Sequence, residues 1–390
     1  MKKGICLAIL IFALFCSVTS YQSLAEQTDT EKGDMEEIVD NLDTTIIDEL
    51  LSELNSQELS VFGHANIKDK LLGIVNGEEG LNSESFFQYV FAVLVGNVKN
   101  ITPFLISILT ICIIFSLLNS IRGRFASSST QTIVRLACIS LVMVIIFAQI
   151  ISLVTESKNM IDMLKKQMDG FFPVLLTLMT AIGGGKSVAV YQPVISVLAT
   201  TVTSVITVFA LPCFLLSIVF HVVGNLSDGI KLKNMAQFFS GAMKWVLSTA
   251  FFLFLGVLSV QGITASIYDN IYIRSTKLAL SQYVPIIGGY LSEGYNLVIS
   301  GSVIIKNGVG LSGIVIMLLT IIPIVMQIVV FSLSLKFVSA IIEPLGHKEV
   351  CSILGGISKS VSALVAIILG VAFLYFIFLL LIVCTGNLVV

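Results

Sequence analysis

Charged residues are scarce in this sequence, and their scarcity decides the class of protein. Asp, Glu, Lys and Arg make up 12% of the 390 residues, whereas soluble domains carry about 25%. Hydrophobic residues make up 56%, and the mean hydropathy is +0.99. A chain with so little charge cannot cover a water-facing surface, so lipid must be the solvent for most of its length.

Residue types that build catalytic and metal sites are also few. The chain has three His and seven Cys, and no His pair has the HExxH spacing of a zinc protease. Two cysteines precede residue 26, and the others lie singly in or beside apolar runs. These others are Cys112, Cys138, Cys213, Cys351 and Cys384. We therefore predict no catalytic residue, no metal ligand, no cofactor and no enzymatic activity, with the cysteines as small apolar side chains in helices.

The charges that are present divide the chain into parts. Residues 26–84 contain sixteen acids and three lysines, whereas the rest of the chain to the carboxyl end contains eight acids and seventeen basic residues. We therefore expect three regions: a signal peptide at 1–25, an acidic helical region outside the cytoplasm at 26–85, and a membrane domain at 86–390. The acidic charge argues against binding to nucleic acid or to acidic lipid.

The first 25 residues have the pattern of a secretory signal peptide. Lys2 and Lys3 precede the apolar run Ile5–Phe15, and Ser23 and Ala25 supply small residues at a cleavage site. The apolar run is too short for a full span. An uncleaved anchor is the alternative, and either arrangement delivers the acidic region across the membrane.

The acidic region contains one apolar helical face. Ile38, Leu42, Ile46 and Leu50 recur at four-residue steps among Asp and Glu residues. This pattern has two interpretations of about equal weight. The face docks a partner outside the cytoplasm, or it packs back on the protein's own membrane domain.

The rest of the chain predicts an all-α membrane protein with about six crossings. One of them falls within the broken apolar stretch 171–224, and the mixed-charge segment 156–169 is expected to lie outside the membrane. The other five expected spans are Ile101–Ile121, Ile133–Val154, Trp245–Ile263, Gly310–Phe331 and Val361–Cys384. Seven or eight crossings remain an alternative.

Positive charge sets the expected orientation. Basic residues collect after the first span, around Lys231–Lys244, and between the last two spans. Because short basic loops face the cytoplasm, these three loops are expected inside and both chain ends outside. The signal peptide gives the same orientation independently.

Two segments interrupted by Gly and Pro are the candidate functional elements. Each has a Gly-rich break and one Lys between two prolines, which predicts a re-entrant or interfacial piece at a pore or cavity. Ordinary helices that contain Gly and Pro are the alternative. The candidate pore or structural residues are Pro173, Gly183, Gly184, Gly185, Lys186 and Pro193 in the first segment, and Pro285, Gly288, Gly289, Lys306, Asn307 and Gly310 in the second.

Two short motifs resemble catalytic patterns without the required context. Gly183–Ser187 resembles a phosphate-binding loop, but Thr180 occupies the position of the first glycine. Gly310–Gly313 has the GxSG pattern of rhomboid-type serine proteases. Ser312 is expected at the outer end of its span and His221 near an inner end, too far apart for a catalytic pair.

Four blocks of sequence resemble the stage III sporulation protein AE family of endospore-forming bacteria. They are Phe172–Ala181, Tyr191–Pro193, Val284–Glu293 and Ile304–Gly310. The resemblance extends over essentially the whole chain. Members usually have Asp where this chain has Glu293.

This resemblance implies a function and a set of partners. It implies a permease-like, non-enzymatic subunit of the channel complex that joins mother cell and forespore and sustains late forespore gene expression. The implied location is the mother-cell membrane that engulfs the forespore. The implied partners are other stage III A proteins and a forespore membrane partner across the intermembrane space, with a homo-oligomer left open. The alternatives are a free-standing secondary transporter and, less favoured, an intramembrane serine protease.

Overall fold

The computed structural model describes residues 39, 42–63, 66–75, 83–122, 128–182, 185–226, 232, 234–257, 259, 288–345 and 348–384. Every secondary-structure element in these ranges is a helix, which confirms the all-α prediction. The expected signal peptide and Ile38 lie outside the described residues.

In the described part of the acidic head, three short helices have complete bounds: α1 (Thr45–Ser52), α2 (Ser56–Phe62) and α3 (Ile67–Val75). Asn55 caps α2, because its side chain accepts from the backbone N–H of Glu58 while the Glu58 carboxylate accepts from the N–H of Asn55. Asp48 on α1 accepts a hydrogen bond from the backbone N–H of Ile67 at 3.1 Å, and so ties α1 to α3.

The remaining described helices form a bundle. They are α4 (Ser83–Arg122), α5 (Ser128–Ala181), α6 (Gly185–Val205), a π-helical turn (Ile206–Ala210), α7 (Leu211–Leu226), α8 (Asn234–Val257), α9 (Gly288–Ile342), a 3₁₀ turn (Glu343–Leu345) and α10 (Lys348–Cys384). Six helical stretches in the described part of the chain are long and apolar enough to cross a membrane, as the sequence predicts. The stretch 171–224 contributes to one crossing of its own, at Val197–Gly224.

Long-range contacts fix the directions of the main helices. From the head downwards, α4 runs parallel to α9: Tyr89 meets Leu319, Asn97 meets Pro323, and Phe104 packs on Phe331. We call the end of the bundle near Tyr89 the head end, and the opposite end the far end.

Helices α9 and α10 form an antiparallel hairpin at the centre of the bundle. Small and polar residues let the two helices approach closely, with Ser332 and Ser358 2.9 Å apart between their hydroxyl oxygens. Nearer the head end, a methyl group on Gly310 would overlap Val383 of α10. These two helices bury more of their apolar windows, 67% and 56%, than any other candidate span, so they form the core around which the others pack.

Helix α5 differs from the expected layout. The sequence separates a span at Ile133–Val154 from an external segment and from a broken stretch that begins at 171. The structure joins all three in one helix of 54 residues, with Pro173 inside it. Charges at every third or fourth position do not end a helix, which explains why the external segment continues α5.

Helix α9 also differs from expectation. A re-entrant break between Gly288 and Gly310 is wrong, because α9 continues without interruption for 55 residues and also contains Pro323. The first broken segment is closer to its prediction. The chain leaves α5 at Ala181 and returns alongside it as α6 from Gly185, so its direction reverses between these two helices.

Gly356 provides a test of the packing at the far end. A methyl group there would overlap the imidazole of His221, whereas a methyl group on neighbouring Gly355 meets nothing within 4 Å. Because overpacking costs about 1–3 kcal/mol, we expect Gly356→Ala to lower the melting temperature in detergent by several degrees. Gly355→Ala is the matched control and should leave the melting temperature unchanged. Equal melting temperatures for the two variants would contradict the close approach of α7 and α10.

Candidate functional site

A buried lysine marks the strongest candidate site among the described residues. Lys306 on α9 has 0% exposed surface, and Ile305 and Val309 beside it are also buried. An ammonium group inside an apolar bundle is costly unless polar groups or water compensate its charge. Ser302 lies one helical turn before Lys306 on the same face and is fully buried too. The two side chains therefore form a small polar region within the apolar core.

Further polar side chains, all buried except the half-buried Thr320, continue from this point towards the level of the head. The polar row, as we call it, consists of Ser302, Lys306, Ser312 and Thr320 on α9, Gln167 on α5 and Tyr375 on α10. Ser302 and Thr320 are about 27 Å apart along the helix axis, at 1.5 Å per residue. The polar row therefore extends over much of the head-end half of the bundle.

Several groups of the polar row have unused hydrogen-bonding capacity. The Gln167 amide donates to the Thr320 hydroxyl at 2.7 Å. Within the part of the chain that the structure describes, no hydrogen-bond partner is found for Gln167 Oε1, Ser302 Oγ, Ser312 Oγ or the Tyr375 hydroxyl. Buried polar groups normally have partners or ordered water. The polar row is therefore suited to hold water or a polar ligand inside the bundle.

The polar row offers hydroxyl, amide and ammonium groups, and it has no carboxylate. Such groups can hydrogen-bond to water or to an anionic or carbonyl-bearing ligand. No group of three or more His, Cys, Asp and Glu in the described ranges could hold a metal ion. The polar row can therefore solvate water or a polar ligand within the bundle.

The other predicted pore residues fall in several places. Gly310 follows Lys306 by one helical turn and packs closely against Val383. Asn307 is half-buried on the neighbouring face of α9. Pro173 is exposed within α5. Gly185, Lys186 and Pro193 belong to the backbone of α6, and Gly288 and Gly289 begin α9. Gly183, Gly184 and Pro285 lie outside the described residues.

The apolar face of the head packs on the protein's own bundle. Leu42 and Leu50 are buried, with 7% and 2% of their surfaces exposed. Ile46 remains 47% exposed but approaches α5, where a methyl group on Gly170 would lie 2.9 Å from its Cγ2 atom. The structure therefore favours the second interpretation of this face, and Leu42 and Leu50 do not present a docking surface.

Polar contacts strengthen the attachment of the head. The Tyr89 hydroxyl of α4 lies 3.0 Å from the Glu58 carboxylate of α2 and 3.0 Å from the carbonyl oxygen of Leu319 on α9. Lys166 and Glu53 form an ion pair at 3.8 Å, but its exposure limits its contribution. At the edge of the head, hydrogen bonds from the Thr45 side chain and backbone lower the pKa of Asp43. Tyr89 is therefore the main polar link of three helices.

The protease-like motif is not assembled. Ser312 precedes Gly313, where a methyl group would lie 3.1 Å from Leu379 of α10, whereas His221 packs on Gly356 of the same helix. The 23 residues between those two positions of α10 span about 35 Å. Ser312 and His221 therefore lie at opposite ends of the bundle and cannot exchange a proton.

Sequence reasoning identified Lys306 but missed most of the polar row. Gln167 sits in a charged segment that resembles a loop, and Ser302 and Tyr375 are single polar residues in apolar helices. Isolated polar residues in predicted spans are the signal that could have found them. Which of them meet depends on the pairing of α5, α9 and α10, which a single sequence does not give.

Comparisons with known proteins agree with the resemblance in sequence. The family model described as Stage III sporulation protein AE matches residues 65–386. The chain is 27% identical over 390 residues to the Stage III sporulation protein AE of Bacillus subtilis (strain 168). The match covers 98% of this chain and 96% of that protein. No solved structure matches the chain.

The attachment of the head can be tested at Leu50. Leu50→Glu places a carboxylate in a buried contact, which costs several kcal/mol for an unpaired charge. We expect the head to separate from the bundle and to be cleaved faster by added protease in membranes. Glu49→Gln, at the exposed neighbouring position, is the control and should keep the original cleavage rate. Equal cleavage of both variants would show that the head does not depend on this face.

Proposed function

Because the chain belongs to the stage III sporulation protein AE family, we propose that it is the permease-like membrane subunit of a channel complex between mother cell and forespore. In this function the polar row forms the outer entrance of a path through the bundle, and the complex sustains late gene expression in the forespore. The protein acts by conducting or gating, not by catalysis.

One observation supports a permeation role above the others: the buried polar row. A membrane protein that serves only as a scaffold has no need to bury a lysine, a glutamine, a tyrosine hydroxyl and two serine hydroxyls in its apolar helices. Ionisable groups inside membrane bundles usually mark the path of a substrate or ion. Within the polar row, we expect substitution of Lys306 to impair the permeation role most.

The proposed location is the mother-cell membrane around the forespore, with the acidic head and the carboxyl end in the intermembrane space. The helix ends near the three basic loops support this orientation. Ser339 of α9 contacts Cys351 of α10, and His221 of α7 contacts Gly356, all at the far end. Basic loops at one end of a bundle are expected to face the cytoplasm.

The proposed partners are other stage III A proteins and a forespore membrane protein across the intermembrane space. A free-standing secondary transporter usually couples transport to ions through carboxylates in its core. On α5, Asp162 and Asp169 are exposed, and Glu156 is half-buried. Glu349 lies in the first turn of α10, away from the polar row. The chain therefore fits a subunit of a complex better than an autonomous pump.

The proposal can be tested at Lys306 in sporulating cells that lack the native gene. Lys306→Met keeps the length of the side chain but removes its charge. We expect normal protein level, normal co-isolation with the other stage III A proteins, and a loss of spores and of a late forespore reporter by orders of magnitude. Lys336→Met is the matched control, since Lys336 is exposed on the same helix, and it should sporulate normally.

Two results would contradict the proposal. Normal sporulation of the Lys306→Met strain would show that the buried cation has no function in a path. Failure of the unaltered protein to co-isolate with any stage III A protein from cross-linked sporulating cells would contradict membership of the complex.

A further inference from the structure

An apolar surface remains exposed on α4 close to the head. It consists of Phe87, Phe91, Leu94, Val95 and Val98, and we call it the α4 stripe. Phe87 and Phe91 have 63% and 68% of their surfaces exposed, the largest values on this helix. The core-facing side of α4 at this height is a different one, since Tyr89 there is buried and Asn97 donates a hydrogen bond to the carbonyl oxygen of Pro323 on α9.

The height of the α4 stripe follows from contacts across the bundle. Tyr89 of α4 meets Leu319 of α9, and Gln167 of α5 meets the next residue, Thr320. Tyr89 and Gln167 therefore lie at one level. From that level α4 and α5 both run towards the far end, α4 with increasing and α5 with decreasing residue number. The α4 stripe is thus level with residues 158–169 of α5.

That level is not in the hydrocarbon of the membrane. On the outer face of α5 it exposes Lys158, Asp162, Lys166 and Asp169. Each charged side chain would cost about 2.5–3.5 kcal/mol or more at the bilayer centre. The acidic head also packs at this level through the pair of Lys166 and Glu53. The α4 stripe is therefore apolar surface at a height where its neighbours meet water or lipid headgroups, and such patches mark interaction sites.

We propose that the α4 stripe is the contact between two copies of this chain, related by a twofold axis along the membrane normal. Copies inserted in the same orientation bring their stripes to the same height by symmetry. Phe87, Phe91, Leu94 and Val98 follow steps of four, three and four residues, the seam spacing of two parallel helices. Between Glu84 and Lys99, α4 carries no charge, so two stripes meet without repulsion.

The area of the α4 stripe is sufficient for a weak but specific dimer. A phenylalanine side chain offers about 150–250 Å², and the five side chains are 37% to 68% exposed, so together they expose roughly 500 Å². Two facing copies would then bury about 1,000 Å², where specific interfaces begin. This inference does not depend on the proposed channel function.

The test adds one cysteine at a time to the chain, in a bacterial membrane that contains no other sporulation protein. Leu94→Cys places a thiol in the stripe, and Asn159→Cys places one at the same height on the charged face of α5. A short bifunctional maleimide should convert Leu94→Cys to a species of twice the chain mass and leave Asn159→Cys as monomer. The unsubstituted chain, with its own cysteines, is the blank.

Light scattering on the purified full chain in lipid nanodiscs gives a second measurement. The unaltered chain should have the mass of two copies, and the double substitution Phe87→Ser and Phe91→Ser should halve it without loss of helix content. A monomeric unaltered chain, or equal cross-linking of Leu94→Cys and Asn159→Cys, would overturn the proposal. Cross-linking of Leu94→Cys only to a different protein in sporulating cells would also overturn it.

Discussion

The length of the apolar helices is the constraint on which the rest of this structure depends. Four candidate spans, on α4, α5, α9 and α10, contain 34 to 46 residues, which corresponds to about 50 to 70 Å of helix. The hydrocarbon core of a bilayer is about 30 Å thick, and helices tilt by about 20° on average. Four such helices packed side by side cannot all fit within it. One end of the bundle must therefore continue beyond the hydrocarbon.

The charged residues of α5 and the position of the head show which end of the bundle continues beyond the hydrocarbon. Exposed charged residues of α5 and the three head helices lie at the level of Tyr89, while the stretch of α5 before residue 155 is apolar on its outer face. The head end of the bundle therefore extends past the membrane surface, and apolar parts of α9 and α10 extend with it. Apolar residues of this extension, such as Ile305, Val309 and Phe378, are buried among other helices. Lys306 and the polar row then sit in a protected interior near an aqueous compartment, where water can compensate a buried ammonium group.

Local patterns predicted much of this architecture. The lengths of the apolar runs predicted the six candidate spans of the described residues. The Gly-rich break predicted the reversal between α5 and α6. Both predictions depend on neighbouring residues alone. The fusion of segment 156–169 with its neighbours was missed, since scattered charges are typical of both loops and water-exposed helices. The attachment of the head was left undecided, because it depends on Gly170 and Tyr89, more than thirty residues away from the partners that they contact. The polar row was missed for the same reason: it is assembled from three helices by long-range pairing.

The extension of the bundle beyond the membrane can be measured directly with nitroxide labels in liposomes. Val144 and Asn159 are both exposed on α5, and about 22 Å of helix separates them. A label at Val144 should collide with dissolved oxygen and be shielded from a water-soluble nickel chelate, as expected in hydrocarbon. A label at Asn159 should show the reverse. If the Asn159 label were as inaccessible to the chelate as the Val144 label, the head end would lie in the bilayer, and the extension of the bundle into water would be contradicted.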